Sequence, residues 1–148
     1  VGCHRCFAAQ NTIVSPDRWL VRILQETVSD GTYTFHPAGE VALVDNLFVF
    51  ERGAVSTDVN VGPDTAPDTF LWTDNAFYAT DAPSASAPSL PGVELGTIEG
   101  VDPLLDATGH LDSASPMVGA GSFLGPLEGD RDGDCYGDPP AIGADEPT

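Results

Sequence analysis

The sequence predicts an all-β fold of the solenoid kind, with short strands wound into about three coils and closed by a C-terminal cap. Three observations point there. The first is a recurring unit. "AQNTIV" (residues 9–14), "VDNLFVF" (44–50) and "TDNAFYA" (73–79) each place a polar residue and an asparagine ahead of β-branched or aromatic residues. The second is punctuation: 16 glycines and 13 prolines are scattered along 148 residues, which favours many short elements over a few long helices. The third is spacing. Asn11, Asn46 and Asn75 stand 35 and 29 residues apart, within the range of one coil plus loop insertions.

The elements follow in order. "VALV" (41–44) and "TFLW" (69–72) precede the second and third asparagines, so the unit reads strand, tight bend, strand. Asparagine suits the bend because it tolerates left-handed backbone and its side chain can bond to nearby backbone groups. Stacked at equivalent bends, Asn11, Asn46 and Asn75 would lie ~4.8 Å apart and bridge the coils. Ile13, Phe48 and Phe77, each two residues past its asparagine, would then form one interior column. Antiparallel hairpins are the alternative, but none of these bends carries the Asn-Gly or Asp-Gly pair that two-residue hairpins favour.

"DRWLVRILQETV" (17–28) has a helix N-cap in Asp17, yet Val21 and Ile23 alternate with Arg22 as in a strand. The strand is expected, with "TDVNVG" (57–62) as its counterpart one turn later. "DAPSASAPSLPG" (81–92) is rich in Pro, Ser and Ala and reads as an excursion from the core. The coils are therefore assigned to residues 1–99 and the final coil with its cap to residues 100–148.

Hydrophobic residues make up 41% of the chain, too many for a disordered one. Asp and Glu number 23 against five basic residues, all arginine (Arg5, Arg18, Arg22, Arg52 and Arg131), for a net charge of −18. That field repels phosphate backbones and anionic lipid, which argues against nucleic-acid and membrane-surface partners. It attracts divalent cations, although solubility in a salty or extracellular medium is the simpler account. No apolar run approaches the ~18 residues of a membrane span. The chain opens at Val1 with neither Met nor a basic-then-apolar leader, so a mature product, a fragment or a trimmed chain is expected. The cysteines are Cys3, Cys6 and Cys135. "CHRC" lacks the second ligand pair of a zinc set, so a Cys3–Cys6 or a Cys3–Cys135 disulfide is expected before a metal site.

The end of the chain carries a resemblance. "VDPLLD" (101–106), "HLDSASPMVGAG" (110–121), "DRDGD" (130–134) and "AIGADE" (141–146) follow one another in that order. They resemble the closing region of secreted bacterial right-handed parallel β-helix proteins of the pectate-lyase-like superfamily, surface-anchored members included. The matching residues are Asp102, Pro103 and Leu104; Leu111, Ser115 and Pro116; Gly119, Ala120 and Gly121; Asp130, Asp132 and Gly133; and Ile142, Gly143, Ala144 and Glu146. An arginine that often follows the Asp-x-Asp-Gly stretch in that family is replaced here by "DCYGD", with Arg131 as a substitute. The resemblance implies a secreted or cell-surface bacterial protein. It also implies that residues 100–146 seal the open end of the stack, with Leu104, Leu111, Met117, Val118, Phe123, Leu124 and Leu127 as apolar cover.

Residues with chemistry are few. Asp130, Asp132 and Asp134 alternate around Gly133, with Asp138 beyond, and such a loop can place several oxygens around Ca²⁺. The Gly and Glu of an EF-hand are out of register, and turn-forming aspartates are the alternative. Asp45 and Asp74 precede their asparagines, so a strict stack brings two carboxylates together, requiring a bridging cation or a splay into solvent. Lyases of the superfamily take a proton beside a uronate with an Arg or Lys base. The candidate here is Arg22, with Gln25 and Glu26 close by, against the plainer reading of a solvated or paired arginine. His4, His36 and His110 are scattered and pair with no nucleophile. Trp19, Trp72 and Tyr78, with Phe50, are candidate stacking platforms for sugar rings, although some must be core.

Two functional readings result. The chain is the C-terminal part of a β-helix protein with a structural, adhesive or glycan-contacting role and no catalytic site of its own. Alternatively it is the tail of a polysaccharide lyase, or another carbohydrate-active enzyme, whose catalytic coils lie upstream. Extracellular polysaccharide is the expected partner and calcium the only expected cofactor. Neither substrate nor assembly state is legible.

Overall fold

The computed structural model describes residues 3–25, 28–122 and 129–147 of the 148. It is essentially all-β, and each of its sheets is parallel. The chain makes four successive passes. The first holds β1 (Phe7–Ala9), β2 (Thr12–Val14) and β3 (Val21–Ile23). The second holds β4 (Ala38–Gly39), β5 (Ala42–Val44), β6 (Leu47–Phe50) and β7 (Val59–Val61). The third holds β8 (Thr65–Ala66), β9 (Leu71–Thr73) and β10 (Ala76–Ala79), and the fourth β11 (Val93–Leu95) and β12 (Ile98–Glu99).

Equivalent strands pair from pass to pass, giving the orders β1-β5-β9-β11, β2-β6-β10-β12, β3-β7 and β4-β8. In register, Ala9 meets Val44, Val44 meets Thr73 and Thr73 meets Leu95, so the passes shorten from 35 to 29 to 22 residues. The centre of residues 17–28 is strand rather than helix: β3 pairs β7, Arg22 faces solvent and Ile23 is buried. Glu26, expected beside Arg22, lies outside the described residues. Among those described, no helix is long and apolar enough to cross a membrane.

The bend between the first two sheets is the most regular feature. Gln10, Asp45, Asp74 and Gly96 occupy it in the four passes, all with left-handed backbone (φ of 54°, 53°, 51° and 69°). The asparagine was expected to take that conformation; its predecessor does. This leaves the asparagine side chain free to run along the stack. Asn11 Nδ2 donates to Asn46 Oδ1 at 2.8 Å, and Asn46 Nδ2 to Asn75 Oδ1 at 2.9 Å. The Asn46 oxygen also accepts the Asn11 N–H, and the Asn75 oxygen the Asn46 N–H. A fourth pass with Thr97 in the asparagine position went unread in the sequence, because "LGTIE" carries no asparagine. Gly96 is required there: a Cβ would sit 1.8 Å from Asp74 Oδ1.

Two apolar clusters fill the interior. Phe48, Phe50, Phe77 and Ala79 join Leu20 and Val55 in one, and Ile23, Val41, Leu43, Phe70 and Trp72 form the other. Ile13 stands over Phe48 and Phe48 over Phe77 in register. At ~1.5–3 kcal/mol for each side chain removed from water, this column is a main source of stability. The next residues in the columns are charged. Glu99 pairs with Phe77, and Glu94 with Trp72, both exposed at the β11–β12 end.

Sealing of that end by residues 100–146 was expected, but the described part of the segment covers a flank. "LFVF" in β6 is buried on both faces, so Leu47 and Val49 need a partner opposite the Phe48 side. Leu111, Met117, Ala141 and Ile142 provide it, joined by Ala76 of β10. Gly143 N donates to Asp45 O, and Ala144 N to Thr12 Oγ1, fastening the segment across two passes. Phe123, Leu124 and Leu127 lie outside the described residues.

Candidate functional site

The covering segment forms a cleft on its outer side. Its first wall is the loop between Leu105 and Leu111, which meet in an antiparallel bridge. Asp106 closes this loop by accepting the Thr108 hydroxyl (2.7 Å) and the N–H groups of Thr108 and His110 (2.8 and 3.0 Å). The Thr108 hydroxyl first, then the His110 and Thr108 N–H groups, hold the Asp106 carboxyl down at about 2. His110 thereby stands on the rim.

The second wall is the acidic stretch. Asp130 Oδ1 accepts the N–H groups of Asp132, Gly133 and Asp134, each at 2.9 Å, while its Oδ2 accepts Glu146 N. Burial alone would raise this carboxyl, but the four N–H groups together hold it below the usual carboxylate range. The turn aims Asp132 Oδ2 at His110 Nε2, 2.8 Å away. Asp145 closes the floor. It is 4% exposed, its Oδ2 accepts Leu111 N at 2.7 Å, and its Oδ1 lies 4.0 Å from His110 Nε2. Arg131 braces the rim, donating to Thr108 O at 3.2 Å with its Nε 3.9 Å from Asp132.

The resulting open cleft has a volume of about 890 Å³. Among the described residues six carboxylates line it (Asp106, Asp112, Asp132, Asp134, Asp145 and Glu146), alongside the apolar surfaces of Leu104, Leu105 and Pro147. Such a surface accepts hydrogen bonds from many hydroxyls at once and can hold a cation.

The expected site residues separate. Of Asp130, Asp132, Asp134 and Asp138, only Asp132 and Asp134 line the cleft; Asp130 is a turn former and Asp138 precedes Pro139 away from the lining. Asp45 and Asp74 do not splay. Asp45 is fully buried, Ser122 N donates to both its oxygens, and Ser122 Oγ donates to Asp74. Burial, then the nearby Asp74 charge, raises the Asp45 carboxyl to about 6 against the pull of the Ser122 N–H.

Trp72 cannot stack on a sugar ring, because it is wholly interior with Nε1 donating to Pro91 O at 2.7 Å. Phe50 is buried as well. Tyr78 is half-buried, its hydroxyl 3.4 Å from Asp102. Trp19 is half-buried beneath the Arg22 guanidinium, 5.4 Å above the ring. Arg22 does not line the cleft. Cys3 is bonded to Cys6, and Cys135 is a free, exposed thiol.

Sequence reasoning missed His110 and Asp145, which come together from 35 positions apart. It also missed Tyr33 and Phe35, 67% and 43% exposed on a small hairpin bridged by Ser29 and Thr34. The signal was there: Asp30-Gly31 is a hairpin turn pair followed by the alternating aromatics Tyr33 and Phe35. No protein-family model matches the chain, and neither a curated protein nor a solved structure matches it.

Proposed function

We propose that the chain is a right-handed parallel β-helix module of a secreted or cell-surface bacterial protein, with a structural and glycan-contacting role. The parallel pairing of equivalent strands, with the Asn11–Asn46–Asn75 amides running along it, supports the coiled architecture. The Cys3–Cys6 disulfide suits an oxidising compartment. The observation that carries the functional reading is the open cleft. Its carboxylates accept hydrogen bonds from sugar hydroxyls, and Leu104, Leu105 and Pro147 can pack against the C–H face of a ring. The substrate class is therefore a neutral, hydroxyl-rich saccharide. A uronate would meet six carboxylates and no arginine among the described lining residues, which counts against the lyase-tail reading.

Calorimetric titration with neutral and uronic-acid oligosaccharides of equal length tests the proposal. Neutral chains should bind, and Asp112→Asn together with Leu104→Ala should weaken them without lowering the melting temperature. Tighter binding of uronates, or no binding of either class, overturns it.

A further inference from the structure

We propose that His110 Nε2, Asp132 Oδ2 and Asp145 Oδ1 bind one divalent first-row transition cation, of the Zn²⁺ and Mn²⁺ class, in the floor of the cleft. The proposal goes beyond the saccharide reading and does not depend on it. The three atoms come from positions 110, 132 and 145 and lie within 4.8 Å of one another.

Proton counting motivates the site. Asp106 Oδ1 already accepts two N–H groups, so the single Thr108 hydroxyl proton at 2.7 Å points to it. Thr108 Oγ1 is then the acceptor for His110 Nδ1–H at 2.6 Å. In its neutral form the ring then carries its proton on Nδ1 and turns the Nε2 lone pair toward two carboxylates. In that form three acceptors converge, with Arg131 Nε 3.9 Å from Asp132 Oδ2 at the rim. A second ring proton would serve Asp132 at 2.8 Å but could not reach Asp145 Oδ1 at 4.0 Å.

Asp145 supplies the independent observation. It is 4% exposed, and its Oδ1 accepts no hydrogen bond from any described residue while facing the imidazole. A carboxylate on a side chain this buried, with one oxygen turned to the cleft, favours a positive partner there. Zinc ligands at ~2.0–2.2 Å in tetrahedral geometry lie about 3.4 Å apart, a value that the 2.8 and 4.0 Å separations from Nε2 bracket. The Thr108–Asp106 pair behind Nδ1 fixes the ring's orientation, as partners of metal-binding histidines do. An imidazole nitrogen beside two carboxylate oxygens selects a transition ion over Ca²⁺ or Mg²⁺, which favour oxygen alone. All three residues line the open cleft, so solvent can reach an ion held there.

The test is calorimetric titration of Zn²⁺ alone, without saccharide, into Cys135→Ser protein, so that the exposed thiol does not compete. One saturable site is expected, and His110→Gln and Asp132→Asn, separately, should each weaken it at least about ten-fold. The exposed Asp132 side chain makes its variant the safer one for folding, which metal-free melting checks. Mn²⁺ should occupy the same site by paramagnetic resonance, and Ca²⁺ should displace Zn²⁺ only weakly. The proposal is overturned if both variants bind Zn²⁺ like the parent, if Ca²⁺ binds as tightly as Zn²⁺, or if no saturable site appears below roughly 1 mM. Because no sugar is present, any of these results leaves the glycan reading standing.

Discussion

The ring of Phe48 lies flat on that of Phe77, with centroids 4.9 Å apart and planes 8° from parallel, although 29 residues separate them in the chain. The contact is interior and links the second pass to the third. Phe48→Ala should therefore cost about 3–5 kcal/mol in urea unfolding, through lost burial and the cavity left behind. A loss under ~1 kcal/mol would show that neighbouring side chains carry the column without it.

Asn46 should be the least replaceable of the asparagines. It is buried, and its amide donates to Ala8 O, Val44 O and Asn75 Oδ1. Asn46→Asp would turn a carboxylate toward those three acceptors, at an expected cost of about 3 kcal/mol or more. Asn11 sits at the exposed end of the ladder, where the same change should cost about 1 kcal/mol. Equal losses at the two positions would refute the ladder as a stabilising element.

Asp45 gives a signed pH dependence. Its folded carboxyl titrates at about 6, above the usual carboxylate value, chiefly because it is buried. The folded state holds the proton that the unfolded chain releases first. This contribution to stability is complete below about pH 4, declines as pH rises and is gone above about pH 6, a change of about 1–3 kcal/mol. Asp106 and Asp130, held low, lose stability in the opposite direction as pH falls, so the difference from Asp45→Asn isolates the effect. The asparagine variant keeps an oxygen for Ser122 N and tolerates left-handed backbone. Its stability relative to the parent should rise by that amount between pH 4 and pH 7, measured by urea unfolding at each pH. A flat difference contradicts the assignment.

Ile142 anchors the covering segment against Leu47 and Val49. Ile142→Ala should cost about 2–5 kcal/mol and speed amide exchange across residues 130–147 while β6 and β10 stay protected. Deletion from Asp130 onward should uncover the outer face of β6 and drive association, read by sedimentation at matched concentration and salt. A monomeric truncation with unchanged melting would mean that the segment lies on a surface that does not need it.

The all-β, parallel character was legible because the strand–bend–strand unit recurs at countable intervals, and strands so spaced can pair in register. The fourth pass was hidden because Gly96 and Thr97 share no residue type with Asp74 and Asn75; the constraint is backbone conformation, which Gly and Asp satisfy differently. The flank cover was half-visible. Four consecutive apolar residues in β6 announce two buried faces, but nothing local says which distant segment arrives. Trp72 could not be sorted from sequence, since its inward direction follows from strand alternation around Leu71 and Thr73. The His110 cluster is a product of tertiary folding: Asp132 and Asp145 lie 22 and 35 positions away, and 23 acidic residues offer too many partners to choose among.

Glu94 and Glu99 give the molecule a direction. At one pole, the side chains that continue the Trp72 and Phe77 columns are anions, and a neighbour docking there would have to bury two charges. At the other pole, β1 and β2 are outermost in their sheets and present half-buried Ala8 and Ile13. A strand added along β11 or β12 would therefore carry a charge penalty that one added along β1 or β2 would not.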